Sequence, residues 1–139
     1  MVRMWTFGDS KMWFESPDLV RLVHVGVFDL KLIQALCGVG RELMAAQPRL
    51  YLLCDARRGS SISLEARKAL SETPEVMPYA GIVIFGASFA LRTMASMMGP
   101  PSGLLGRTQA APFGMVDTEE EARSWVAARR AVMDAAQAS

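Results

Sequence analysis

The chain has 139 residues, 51% of them apolar and 21% charged, which suits one globular domain with its own core. A formal net charge of +1, with 12 Arg and 3 Lys scattered along the chain, excludes nucleic acid or an anionic lipid surface as a partner imposed by charge alone. No window approaches the about 20 apolar residues of a membrane span, and Met1-Val2-Arg3-Met4-Trp5 lacks the long apolar core of a signal peptide, so a soluble, cytoplasmic protein is expected.

Residues 5–7 and 11–15 read as two short strands around Gly8-Asp9-Ser10, a hairpin signal. Pro17-Asp18 is a break, and residues 19–27 form a β-branched, strongly apolar strand. Asp29 can cap a helix in which Ile33, Leu36, Gly40 and Leu43 recur at three and four. Gln47-Pro48 ends it, because proline disfavours helical geometry in the residue before it. Residues 50–54, Leu-Tyr-Leu-Leu-Cys, are a buried central strand, and the stretch from Ala56 to Ile62 is read as a loop. A second helix covers 63–72, closed by Thr73-Pro74.

Residues 80–86 are another buried strand, followed by a helix over 89–98. Gly99-Pro100-Pro101-Ser102-Gly103 breaks the chain and opens a loop to Ala111. Residues 113–116 make a last short strand. Asp117 or Thr118, each with a Glu three residues on, supplies a capping box for the final helix. Its acidic first turn and late Arg129-Arg130 both suit the helix dipole. The order β-β-β-α-β-α-β-α-β-α predicts a single α/β domain over residues 1–139. Its mixed sheet has five to six strands, with four helices, parallel crossovers and an N-terminal antiparallel hairpin.

The strand into Asp55, followed by Arg57, Arg58, Ser60, Ser61 and Ser63, marks the first place to look for a site, since ligands gather at the carboxyl ends of parallel strands. Two readings stand side by side. Ser63 is a plain N-cap, Ser60 and Ser61 shape a loop, and Arg57 and Arg58 are its solvated tip. Alternatively a serine here carries a phosphate, which a helix N-terminus and two nearby guanidinium groups favour.

His24 alternates with Leu22 and Val20 in an apolar strand and reads as a structural, hydrogen-bonded histidine. Cys37 and Cys54 fall on apolar faces, outside any metal-ligand spacing, and read as buried reduced thiols. No P-loop, dinucleotide fingerprint or metal-ligand cluster appears, and no acid/base pair assembles around Asp55. No enzyme, cofactor, metal or catalytic residue is expected. Phe89, Met94, Met97 and Met98 gather on the third helix before the Gly/Pro break. They either pack in the core or line an apolar pocket or adaptable binding face.

The element order, the strand into Asp55, the serine-rich helix start and the segment Asp117-Thr118-Glu119-Glu120-Glu121-Ala122-Arg123-Ser124-Trp125-Val126 together resemble the STAS fold, in its SpoIIAA-like (STAS/Sec14-like) branch. The resemblance covers residues 19–132 at the level of pattern. It implies a bacterial signalling module without catalysis, similar to anti-sigma-factor antagonists, whose protein partner is a kinase anti-sigma factor. In such antagonists that kinase phosphorylates a serine in an Asp-Ser-Ser-Gly-like motif after the central strand. This chain lacks that run, and its nearest hydroxyls are Ser60, Ser61 and Ser63. The partner surface implied is Arg57, Arg58, Leu64 and Arg67 with Arg92 on the next helix. The Sec14-like side of the resemblance implies the alternative, a small hydrophobic-ligand or lipid-binding protein built around Phe89, Met94, Met97 and Met98. A third outcome is a homodimer through the apolar hairpin with Trp5 and Trp13.

Overall fold

The computed structural model describes residues 4–72, 79–96 and 113–138. The expected stop at Thr73-Pro74, the Gly/Pro loop to Ala111, and Met97 and Met98 lie outside them. Ten elements follow one another as β1 (Met4–Phe7), β2 (Ser10–Glu15), β3 (Leu19–Phe28), α1 (Leu30–Met44), β4 (Tyr51–Ile62), α2 (Leu64–Glu72), β5 (Gly81–Phe85), α3 (Phe89–Ser96), β6 (Phe113–Val116) and α4 (Glu119–Ala138). The strands form one sheet in the order β1-β2-β3-β4-β5-β6. β1, β2 and β3 pair antiparallel, and β3 to β6 are parallel. The expected mixed sheet with four helices and a leading hairpin is what the chain forms.

Alternation along the strands sorts the core into two layers. Val20 and Leu22 of β3, Leu52 and Cys54 of β4 and Ile82 of β5 meet Leu32, Ile33 and Leu36 of α1 and Ala66 of α2. Leu19, Tyr51, Leu53, Val83 and Phe85 face the other way and meet Ala122 and Val126 of α4. Both faces of the central strands are covered, which is why residues 50–54 read as an unbroken apolar run.

Each helix starts on a side chain that accepts from the backbone N–H three residues on. Asp29 accepts from Leu32 at 2.9 Å, Ser63 from Ala66 at 3.1 Å, Ser88 from Leu91 at 3.1 Å and Thr118 from Glu121 at 3.1 Å. Glu121 returns the favour by accepting from the Thr118 N–H at 3.2 Å, so Thr118 rather than Asp117 holds the capping box.

Two expectations need correction. The stretch from Ala56 to Ile62 is not a loop: β4 runs twelve residues, to Ile62. Its neighbour β3 is ten residues long, and Val25 to Phe28 offer a ladder that Arg58, Gly59, Ser61 and Ile62 fill. Arg-Arg-Gly-Ser-Ser has no apolar alternation, yet two register shifts keep it paired. Ala56 and Arg57 together oppose His24, and Ser60 is the extra residue between Gly59 and Ser61. β5 stops at Phe85 opposite Asp55, so beyond that point β4 overhangs the sheet, and α3 packs beside it.

The second correction concerns α4. It continues to Ala138 and has no basic residue in its last turn. Arg129 and Arg130 sit mid-helix and reach the sheet instead. Arg129 donates to the Ala80 carbonyl at 3.2 Å, and Arg130 holds Asp18 through two bonds of 2.9 and 2.7 Å.

Candidate interaction surface at the carboxyl end of the sheet

Parallel strands with helical returns place the start of every helix at the same end of the sheet. Residues 28–30, 62–64, 86–89 and 116–119 are those junctions here. The expected site residues of the Arg57 and Ser63 region therefore do come together at one end.

Asp55 is the anchor. It is 7% exposed and accepts from the Arg57 backbone N–H at 3.0 Å, from Arg57 Nε at 3.0 Å and from Arg57 Nη2 at 2.7 Å. Burial alone would raise its pKa. The hydrogen bonds and charge of Arg57, with the charge of Arg21 behind them, outweigh burial and hold the carboxyl below its ordinary 3.8. The bulge turns the Arg57 chain over β5, where its guanidinium carbon lies 5.3 Å from the Phe85 ring centroid. Gly86, at φ +73°, leaves room for it: a Cβ there would stand 2.4 Å from Arg57 Cγ.

Arg92 is also engaged. It donates from Nε to the Ala87 carbonyl at 3.2 Å and from Nη2 to Asp117, tying α3 to the end of β6. Arg67 is half-buried, and its Nε has no hydrogen-bond partner among the described residues. Arg58 stands exposed on the overhang. Of the three serines, Ser60 is exposed and Ser61 half-buried. Ser63 is occupied as the α2 cap, and its N–H donates to the Phe28 carbonyl at 3.0 Å.

Two large apolar side chains stand out at this end. Leu64, the first residue of α2, is 71% exposed, and Phe89, the first residue of α3, is 87% exposed. Phe89 was expected in the core, or lining an apolar pocket or an adaptable binding face. It is not in the core: the Ser88 cap fixes the start of α3 with position 89 facing water while Leu91 turns inward at 4% exposure. Met94 belongs to α3, in its second turn.

His24 and Arg21 are both buried on β3, and of the two only His24 carried an expectation from the sequence. His24 is 2% exposed, its ring meets Phe28 edge-on at 5.1 Å, and its Nε2 has no hydrogen-bond partner among the described residues. The expected structural histidine is buried and hydrogen-bonds to the Gly26 and Val27 backbone, and the expectation of a satisfied ring is corrected only at Nε2. Burial lowers its pKa below 6.5, against opposing contributions from the Gly26 and Val27 backbone and the charge of Asp29. Arg21 is 8% exposed, within 3.5 Å of Glu15 and 3.3 Å of Glu119, and packs on Trp13 at 5.3 Å. Arg123 completes this group with bonds of 2.8 and 3.2 Å to Glu15. A charged residue in the middle of an apolar strand was the available signal for Arg21. Its partners come from β2 and α4, which no local pattern connects.

Cys37 and Cys54 are buried, and burial raises both thiol pKa values, that of Cys54 to about 12. No helix among the described residues is long and apolar enough to cross a membrane.

No family model matches the chain, and no curated protein matches it. Among solved structures the chain is similar to the anti-sigma factor antagonist SpoIIAA in its unphosphorylated form. Identity is 12% and the TM-score 0.47, over 91% of this chain and 97% of that one. It is also similar to an uncharacterized protein of the DUF3478 family with a SpoIIAA-like fold, from Shewanella loihica PV-4. There identity is 15% and the TM-score 0.45, over 90% of this chain and 91% of that one. At such identity the likeness is one of fold.

Proposed function

We propose that this chain is a non-enzymatic regulatory module that binds a protein partner through the carboxyl end of its sheet. The observation that carries this reading is the pair Leu64 and Phe89, 71% and 87% exposed on the first turns of α2 and α3, with exposed Arg57 and Arg58 on the β4 overhang that leads into α2. Bulky apolar groups with arginines beside them are what the centre of a protein interface is made of. The partner class is the one implied by the sequence resemblance, a kinase-type anti-sigma factor. Ser60 is the serine its active site would reach first, since Ser63 is committed to its cap.

The test is affinity capture from the native host with the wild-type chain and with Leu64→Asp/Phe89→Asp, read by mass spectrometry for partners and phosphoserine. Both positions are exposed, so the variant should keep the wild-type melting temperature while losing a specific partner at least tenfold, which corresponds to about 1.4 kcal/mol of binding. Equal capture by both chains would refute the surface. Incorporation of phosphate at Ser60, Ser61 or Ser63 would extend the reading to a switch.

A further inference from the structure

β1 is the outermost strand of the sheet. It pairs with β2 in unbroken register, Phe7 opposite Ser10 and Trp5 opposite Met12, around the two-residue turn Gly8-Asp9. In a two-residue hairpin the pair flanking the turn exchanges both backbone hydrogen bonds, and bonded pairs then alternate with unbonded ones. Phe7 and Trp5 therefore turn their N–H and C=O groups toward β2. Met4 and Thr6 turn theirs outward, along an edge with no further strand among the described residues.

Natural edge strands are guarded by charges, prolines or bulges. β1 reads Met-Trp-Thr-Phe, with none of the three. Its side chains are β-prone, and Met4 is 53% exposed.

We infer that β1 is a self-association edge, which a second copy of this chain covers by antiparallel pairing of β1 with β1 about a two-fold axis through Trp5. Strand backbone at strand spacing is satisfied by another extended strand. An uncharged edge selects neither an acidic nor a basic partner, and a net charge of +1 leaves little repulsion between copies. The parity also closes. With Trp5 on the axis, Met4 of each copy lies opposite Thr6 of the other, and these are the residues whose groups point outward. Trp5 then meets Trp5 across an unbonded pair, where Cβ atoms approach to about 4.5–5.5 Å and aromatic pairs are favourable. Four residues a side bury less than the about 1,200 Å² of a standard interface, so the dimer is weak and concentration-dependent.

Sedimentation velocity from about 10 μM to about 1 mM, the range in which so small an interface titrates, should show a monomer passing to a dimer. Over the same range the Thr6 amide should exchange more slowly with solvent. Thr6→Pro removes an outward N–H, which an edge strand tolerates. It should keep the fold and stay monomeric throughout. Should that variant fail to fold, Thr6→Lys, which guards the edge with charge, decides the matter by the same shift to monomer. A wild-type chain that is monomeric at the highest concentration, Thr6 exchange that ignores concentration, or a folded Thr6 variant that dimerises like wild type would each overturn the inference.

Discussion

Replacing Gly59 by alanine places a methyl group in the one spot that the His24 ring already fills. A Cβ at Gly59 would lie 2.7 Å from His24 Nδ1 and 2.8 Å from Cε1, with the Ala56 carbonyl at 3.3 Å. Ordinary contact begins near 3.4 Å, so the ring or the strand must yield by about 0.7 Å, and an interior packed to crystal-like density has little slack. His24 is 2% exposed and wedged against Phe28, so it cannot swing out to water. Overpacking of this kind costs about 1–3 kcal/mol. Restricting the unfolded chain returns about 0.4–1 kcal/mol, so the midpoints leave a net loss of about 1.3 kcal/mol and a Tm lower by about 4–6 °C at this chain length. Urea unfolding followed by tryptophan fluorescence measures it. The decisive comparison is a double-mutant cycle: after His24→Ala the Gly59→Ala change should cost nothing or stabilise, a coupling of about 1 kcal/mol or more. A Gly59→Ala protein as stable as wild type, or a cycle with no coupling, would refute the packing argument.

Two further outcomes follow from the buried titratable groups. His24 is held below its ordinary 6.5 by burial, so between its folded pKa and 6.5 the unfolded chain binds more protons. Stability therefore falls as the pH drops below 6.5, and His24→Gln should flatten that part of a stability-against-pH curve; an unchanged slope would show that the ring is not buried neutral. Asp55 is shifted in the same direction by a different cause: hydrogen bonds from Arg57 outweigh burial and place its folded pKa below 3.8. Its contribution is in full force above 3.8 and lost as the pH falls through the folded value. Asp55→Asn should thus destabilise clearly at neutral pH, and the gap to wild type should close in acid; a gap that is independent of pH would sink the ion-pair account.

The strand at 50–54, the hairpin and all four helices were legible because their signals are short-range. Apolar alternation, a Gly-Asp turn, and a Ser, Thr or Asp three residues before a helical N–H each act within one turn of the chain. The same locality explains the misreadings. Arg57 to Ser61 looks like a loop by composition and is a strand only because β3 is long enough to pair with it. The candidate surface was legible in position, since β-α junctions always gather at one end of such a sheet, but not in content. Which arginines are already engaged by Asp55 and Asp117, and which apolar groups stand in water, depends on the twin bulges of β4 and on the angle at which α3 starts.

The sequence by itself determined the element order and the helix caps at Asp29, Ser63 and the Asp117-Thr118 pair, because period and capping are properties of neighbouring residues. Tertiary structure alone decided the length of β4, the seat of Arg21 among Glu15, Glu119 and Arg123, the diversion of Arg129 and Arg130 from a helix end to the sheet, and the exposure of Leu64 and Phe89. Each of these depends on what lies across a strand or beneath a helix, up to 112 positions away in the chain. Contacts at that separation are chosen by the packing of the whole sheet.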